Sequence, residues 1–368
     1  MIRPHRYALA AASALALSLG CESDPLPSQP LGQPPLPPGA PGAWQDLELS
    51  NDFVEVLALA TWNGRLIAGG SFFNVQGHPS TSLASWDGAS WTRLGPNIGS
   101  SVHALAVHNG HLVVGGSFSH INGDTIRGVG DWDGTKWTPL GPGVSQGVAA
   151  LAVYGGDLIA AGTFTTAGGA PIANIARWDG AEWRPMAGGL NGPVWALTVY
   201  KGDLIAGGSF DRADGALAPG IAAWNGAAWS SVGGGVGGGA GGNIYGTVYA
   251  LAVHGDSLIA GGGFTSAGGV PAYHVAKWNG VEWDSLGSGV GQHTWEYVKS
   301  FTVYADTLVV GGTFPGNVRR WDGSAWAPMS ALNGVVDALA VYDGYLIAGG
   351  WFPREGGYPA NGIARWGK

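Results

Sequence analysis

Short apolar segments alternate with glycine-rich turns along most of this chain, and one arrangement of them recurs. Its first segment, as in residues 102–107, is almost continuously apolar, which is typical of a strand buried on both faces. A second apolar segment ends in paired glycines, and a third ends in a tryptophan that precedes an Asp-Gly or Asn-Gly turn and a second tryptophan. These dipeptides favour tight turns because both residues tolerate positive φ. The pattern predicts four short antiparallel strands in each repeat.

The repeat occurs seven times from residue 54 onward, at intervals of about 46 residues. Repeats of this length with four short strands are typical of β-propeller blades. The seventh repeat has a first tryptophan, Trp366, but no second one, whereas residues 44–47 (Trp-Gln-Asp-Leu) have the W-x-x-L form that follows the turn elsewhere. We therefore predict an all-β fold: a seven-bladed β-propeller of four-stranded blades, whose ring is closed by the N-terminal strand in the last blade.

The paired glycines and the W-D-G-x-x-W segment resemble the kelch repeat, in which a double glycine is followed by an aromatic residue and a tryptophan. The resemblance covers residues 44–368. It extends to the central domain of galactose oxidase, to fungal bud-site markers and to bacterial surface propellers. What it implies is the fold, because propellers support many unrelated functions.

The N-terminus has the features of an export signal. Residues 7–19 form an apolar run of about thirteen residues after a basic start, which is too short to span a bilayer and typical of a signal peptide. The sole cysteine, Cys21, follows Ser18-Leu19-Gly20, and this segment resembles a bacterial lipobox, in which the cysteine is lipidated. Ordinary signal-peptidase cleavage that leaves a free thiol is the alternative. We predict a signal peptide over residues 1–20 and an exported chain, lipid-anchored at Cys21 to a bacterial membrane at the outer membrane or cell surface.

Residues 21–43 are rich in proline, with eight prolines between positions 25 and 41. Such a segment is extended and semi-rigid, so we predict a tether between the membrane and a propeller that covers residues 44–368. Removal of the signal peptide leaves 15 basic and 25 acidic side chains. Because this charge repels a phosphate backbone, we expect no nucleic-acid partner.

Loop lengths differ between the two rims of the predicted ring. Thirteen residues separate the valine that opens each repeat from its paired glycines, the first of which is replaced by Ala161 in the third repeat, and the paired tryptophans are always five residues apart. The other connections vary: the distance from the second tryptophan to the next valine is 11 in three repeats, but 19 after Trp229 and 15 after Trp283. Insertions on one face of a repeat protein often mark its binding face. We therefore predict a ligand site on the rim that holds these connections, which we name the variable rim.

The residue after each opening valine changes identity in all seven repeats, and we expect it at the mouth of the central channel. Together with aromatic and histidine residues of the two long insertions and an unusual tryptophan after the last glycine pair, it supplies the predicted ligand-binding set: His103, Trp195, Tyr245, Tyr249, His293, Trp295, Lys299, Asp337 and Trp351. Such a set suits a glycan or a protein ligand. The alternative is that these side chains only pack and cover the channel.

We predict no catalytic residue, metal ligand or cofactor. The turn aspartates are replaced by Asn225 and Asn279 in two repeats, which favours a turn-forming role, and neither a nucleophile elbow nor a phosphate-binding loop is present in the sequence. Two functions remain. One is a non-catalytic surface or periplasmic scaffold that binds a glycan, a peptide or an envelope protein. The other is a polysaccharide hydrolase or lyase that uses carboxylates such as Asp337, for which a pair of channel carboxylates about 5–10 Å apart would argue.

Overall fold

The computed structural model describes residues 44–50, 54–79, 82–145, 147–239, 245–329, 332, 334–352 and 361–367. The predicted signal peptide over residues 1–20, the lipidation site Cys21 and the predicted tether over residues 21–43 lie outside these residues. No helix that is long and apolar enough to cross a membrane occurs in the described ranges. Strands and turns make up the described part of the chain.

The strands form seven antiparallel sheets of four strands each, which we number as blades 1 to 7 in chain order. From the innermost strand outward, the first three blades comprise Val54–Trp62, Arg65–Phe72, Leu83–Trp86 and Trp91–Arg93; Val102–His108, His111–Gly116, Val129–Trp132 and Trp137–Pro139; and Val148–Tyr154, Asp157–Gly162, Ile175–Trp178 and Trp183–Arg184.

Blades 4 to 7 follow the same order. Their strands are Val194–Tyr200, Asp203–Gly208, Ile221–Trp224 and Trp229–Ser231; Thr247–His254, Ser257–Gly263, Val275–Trp278 and Trp283–Ser285; Val298–Tyr304, Thr307–Gly312, Val318–Trp321 and Trp326–Pro328; and Val335–Tyr342, Tyr345–Trp351, Ile363–Trp366 and Trp44–Asp46. Short strands in the loops are Asn74–Val75, His78–Pro79, His120–Ile121, Asp124–Thr125, Arg212–Ala213, Ala216–Leu217, Val236–Gly237, Ser266–Ala267 and Val270–Pro271.

The inner strands are arranged in a ring. Each contacts the inner strand of the next blade, and that of blade 7 contacts that of blade 1. The N-terminal strand Trp44–Asp46 pairs with Ile363–Trp366, with Trp44 opposite Trp366, and so forms the outer strand of blade 7. The predicted all-β propeller is confirmed, and these pairings are consistent with seven blades and with the predicted closure. Closure matters because an unpaired strand edge can pair with another chain.

The first glycine of each pair allows neighbouring blades to approach closely. A Cβ at Gly115 would lie 2.6 Å from Cγ1 of Val148 in blade 3, and one at Gly349 would lie 2.6 Å from Cγ1 of Val56 in blade 1. Carbon atoms do not pack at this distance, so a side chain at Gly115 or Gly349 would force the facing valine to move. Blade 3 accommodates Ala161 at the same position. The contact of Gly349 with Val56 joins the last blade to the first.

In five blades the second tryptophan of a pair donates a hydrogen bond that joins its blade to the preceding one. In blade 2 the indole N–H of Trp137 has no partner among the described residues. The indole N–H of Trp91 donates to the Leu47 carbonyl at 2.8 Å, and that of Trp183 donates to the Leu140 carbonyl at 2.8 Å. Trp229, Trp283 and Trp326 make the same bond in their blades. The accepting carbonyl belongs to the last residue of the preceding W-x-x-L segment, which gives that segment a structural role.

The turn aspartates accept hydrogen bonds from their own turns. Oδ1 of Asp133 accepts from the backbone N–H groups two and three residues later, at 2.7 and 2.9 Å, and Oδ1 of Asn225 does so at 2.9 Å for both. Bonds to this carboxylate, first among them that from the Lys136 N–H, lower the pKa of Asp133 to about 2. Because the turn requires only an acceptor oxygen, Asn can replace Asp.

Candidate functional site

Every inner strand has a β-bulge at the residue after its opening valine. In blade 2, Val102 pairs with Gly116 and Ala104 with Gly115, so His103 has no opposite residue. A bulged residue is left out of the ladder, which re-aims its side chain. The bulged residues in blades 1 to 7 are Leu57, His103, Ala149, Trp195, Tyr249, Lys299 and Asp337. These are the seven variable positions, and all lie at the variable-rim end of the inner strands.

Three aromatic side chains from blades 4, 5 and 6 form a continuous surface at this end, which we name the aromatic arc: Trp195, Tyr249 and Tyr297. The ring centroids of Trp195 and Tyr249 are 6.4 Å apart, and those of Tyr249 and Tyr297 are 5.5 Å apart. All three side chains are partly exposed. The Trp195 indole N–H donates to Oγ of Ser209 at 2.8 Å, which fixes one end of the arc. Tyr297 precedes an opening valine and is outside the predicted set.

An ion pair lies beside the arc. Nζ of Lys299 in blade 6 donates to Oδ1 of Asp337 in blade 7 at 2.5 Å, and both side chains are buried. Burial disfavours the charge on Lys299, but the Asp337 carboxylate outweighs this and raises the pKa of the lysine. The same ammonium lies 5.6 Å from the centroid of the Tyr297 ring. The pair therefore connects two blades and one end of the arc.

Glu55 in blade 1 belongs to the same cluster, although the sequence prediction missed it. Its side chain is partly exposed, and its pKa is raised by burial and by the negative charge of Asp337. Glu55 and Tyr297 occupy the position before the opening valine. That position reads Glu55, Ser101, Gly147, Pro193, Thr247, Tyr297 and Val335. Its variability was the sequence signal that could have identified Glu55.

His103 is a buried residue of the channel mouth. Its Nε2 lies 3.2 Å from Oγ of Ser117. Burial, followed by the positive charge of Lys299, lowers the pKa of His103 to about 4. The imidazole is therefore neutral at physiological pH. Of the predicted ligand-binding residues, His103, Lys299 and Asp337 are buried.

The second insertion carries an exposed aromatic pair. The rings of His293 and Trp295 stack with centroids 5.1 Å apart and an interplanar angle of 6°, and Trp295 is 65% exposed. Oε2 of the buried Glu296 accepts hydrogen bonds from the backbone N–H groups of Gln292 and His293 at 2.6 and 2.9 Å. This carboxylate holds the insertion in place. Residues of the insertion and Arg319 line a cleft of about 270 Å³.

The remaining predicted residues flank the arc. Tyr245 lines a cleft of about 190 Å³ together with Asn191, Ser209 and Asp211, and Ser209 is the residue that accepts from Trp195. Trp351 occupies the same repeat position in blade 7 as Ser209 in blade 4, and it is 44% exposed. The structure thus places Trp195, Tyr249, Lys299 and Asp337 in one cluster with Glu55 and Tyr297. Whether this cluster binds a ligand stays a prediction.

No group of three histidine, cysteine, aspartate or glutamate side chains in the part of the chain that the structure describes is arranged to hold a metal ion.

No family model matches the sequence, and no curated protein matches it. Among solved structures, it is similar to the WD40 repeats of RRP9 (14% identity, TM-score 0.56, 88% of this chain and 98% of that chain) and to the WD40 β-propeller domain of Doa1 (14%, 0.54, 88% and 96%). It is also similar to the extracellular domain of a hybrid two-component system of B. thetaiotaomicron (10%, 0.59), with 88% of this chain and 39% of that chain covered. The chain has the β-propeller fold. At these identities the comparisons show the fold alone.

Proposed function

We propose that this chain is a non-catalytic binding module that is lipid-anchored at Cys21 and holds a glycan, a peptide or an envelope protein on its variable rim. The observation that carries the proposal is the aromatic arc: three partly exposed rings in mutual contact, contributed by three successive blades. Aromatic faces in a concave site stack on sugar rings or hold apolar side chains. The proposal includes kelch-like repeats, supported by the double glycines and paired tryptophans.

The exposure of the flanking aromatics supports a ligand site over a channel cover. A side chain whose role is to cover a channel gains stability by being buried. Trp295 and Trp351 are instead 65% and 44% exposed, on the rim that carries the insertions. The similar propellers support the proposal further, because two are WD40 repeat domains and one is an extracellular domain.

A second candidate function has one observation in its favour. Glu55 and Asp337 are two carboxylates at the same channel mouth, and burial, followed by the charge of Asp337, raises the pKa of Glu55. Paired carboxylates are the catalytic groups of many glycoside hydrolases. However, Asp337 is fully buried and is bonded to Lys299, so a substrate would have to displace the ion pair to reach it. The binding module is therefore the better-supported function.

The test is a glycan and peptide array probed with the full-length chain, followed by titration of the ligand found. We expect Trp195→Ala and Trp295→Ala each to weaken binding at least about tenfold. Trp295→Ala should change the free energy of unfolding by no more than about 0.5 kcal/mol, as is usual for exposed residues. Val281→Ala is the matched control, because Val281 is 84% exposed in a turn on the opposite rim.

Two results would contradict the proposal. One is unchanged ligand affinity in both tryptophan variants. The other is destabilisation of both by about 3 kcal/mol or more, the cost of truncating a buried tryptophan, which would indicate a packing role.

A further inference from the structure

Among the residues that the structure describes, the channel mouth has two carboxylates, Glu55 and Asp337, and one cation, Lys299. Lys299 is bonded to Asp337, which leaves Glu55 as a second carboxylate beside the pair. Among the described residues, no lysine, arginine or histidine nitrogen lies within 4.0 Å of the Glu55 carboxylate. The side chain is partly exposed, so a ligand at the mouth can reach it. A partly buried carboxylate without its own cation favours a positively charged partner.

The aromatic arc supplies a wall suited to a cation. The face of an aromatic ring is electronegative and attracts ammonium groups within about 6 Å. At one end of the arc, the Lys299 ammonium already lies 5.6 Å from the Tyr297 centroid. In the described residues, no side-chain cation lies over the rings of Tyr249 or Trp195. The ring faces of Tyr249 and Trp195 and the carboxylate of Glu55 are therefore the groups of the cluster that a ligand can contact.

We propose that the channel mouth binds a glycan that carries free amino groups, with Glu55 as the counter-ion of one ammonium and the rings of Trp195 and Tyr249 as the surface on which the sugar stacks. This inference rests on the binding function proposed above and names its ligand class. Anionic glycans are disfavoured, because they would meet an excess of carboxylates here and a chain with 25 acidic and 17 basic residues.

The experiment compares three trisaccharides that differ in charge: the glucosamine trimer, the N-acetylglucosamine trimer and the galacturonic acid trimer. Each is titrated calorimetrically into the full-length chain at low ionic strength, because salt screens exposed charges. We expect the glucosamine trimer to bind about tenfold more tightly than its acetylated counterpart. The galacturonic acid trimer should bind most weakly.

Glu55→Gln tests the role of the carboxylate. It keeps the shape of the side chain and removes its charge, so the ratio of the affinities for the glucosamine trimer and the acetylated trimer should fall to about one. Glu55→Ser is the second variant, because Ser101 occupies the same repeat position in blade 2. Glu182→Gln is the control, because Glu182 lies in an exposed turn of blade 3 and should leave the preference intact.

Equal affinity for the glucosamine and acetylated trimers, or tighter binding of the galacturonic acid trimer, would overturn this inference. Either result would still be compatible with the proposed binding function of the variable rim. A preference that survives in both Glu55 variants would overturn it as well. Failure of all three trimers to bind would also overturn it, whereas the broader binding function is decided separately by the array and by Trp195→Ala.

Discussion

At the scale of single residues, one backbone position holds side chains of opposite chemistry. Leu57 and Ala149 fill the bulged position with buried apolar atoms. Lys299 and Asp337 fill it with buried charges, which the fold tolerates because each is the other's partner on the adjacent blade. His103 has no such partner and remains neutral, with a pKa lowered to about 4.

The variability of the bulged position could be recognised in the sequence, but the pairing across it could not. Thirty-eight residues separate Lys299 from Asp337, and the packing of the inner strand of blade 6 against that of blade 7 brings their side chains to 2.5 Å. For the same reason Glu55, at the other end of the sequence, was missed. The burial of Lys299 also follows from this pairing, since an isolated lysine at a channel mouth would be expected to remain in water.

Because the imidazole of His103 is buried, we predict that the fold loses stability at acidic pH and that His103→Leu reduces this loss. A histidine whose pKa is near 6.5 unfolded and about 4 folded binds a proton more readily in the unfolded state. Its contribution to stability is therefore present above pH 6.5 and is lost as the pH falls towards 4, by about 3 kcal/mol in all. Leucine is compatible with the site, because Leu57 occupies it in blade 1. Urea unfolding at pH 7 and pH 4 should show a smaller loss on acidification for His103→Leu than for the wild type.

His274 and the carboxylates that also titrate in this range are common to both proteins, so their effects cancel in the comparison. An identical loss of stability in the two proteins would show that protonation of His103 does not contribute to the loss of unfolding free energy between pH 7 and pH 4.

At the scale of elements, the W-x-x-L segment has a function that its sequence did not reveal. Its tryptophan and leucine could be assigned to an outer strand from their recurrence alone. The carbonyl of its last residue accepts the indole N–H of the next blade, as Leu47 does from Trp91. Backbone acceptors leave no trace in side-chain identity, so this position can be Leu140, Met186 or Val232.

The bulges were equally hidden from sequence reasoning. A bulge changes which residues face each side of the sheet, and in a strand of alternating apolar and polar residues this change is visible in the sequence. The inner strands are almost continuously apolar, so their sequence shows no such change. The constant spacing from valine to glycine pair did indicate that every repeat folds alike. The bulges inside each repeat could therefore be recognised only in the structure.

Two truncations test the N-terminal strand of blade 7. Deleting residues 1–43 should leave the free energy of unfolding nearly unchanged, whereas deleting residues 1–50 should lower it by at least about 4 kcal/mol. The longer deletion removes the buried side chains of Trp44, Leu47 and Leu49 and the carbonyl that accepts from Trp91. It also exposes the edge of Ile363–Trp366. Urea denaturation of both proteins measures the difference, and equal midpoints would refute the pairing as a source of stability.

At the scale of the whole molecule, the direction of the N-terminal strand shows at which rim the chain enters the propeller. Trp44 pairs with Trp366, and Trp366 pairs with Leu346, next to the turn between Tyr342 and Tyr345. That turn is on the rim opposite the bulges. The chain therefore enters the propeller on the rim of constant turns, so that a lipid at Cys21 would hold this rim towards the membrane and direct the variable rim away from it.

The last prediction concerns this orientation and the anchor together. Cys21→Ser should release the protein from the membrane fraction and abolish acyl labelling, because Cys21 is the sole cysteine.

The orientation is tested in the anchored protein, in which single cysteines are introduced at Trp295 on the variable rim or at Val281 on the opposite rim, two exposed positions. A bulky polymer-linked maleimide should modify Trp295→Cys several-fold faster than Val281→Cys, because the membrane obstructs the second site. Adding Cys21→Ser to each variant gives the control, in which the two rates should approach each other. Retention of Cys21→Ser in the membrane fraction would refute the anchor, and a rate ratio that release does not change would refute the orientation while leaving the anchor intact.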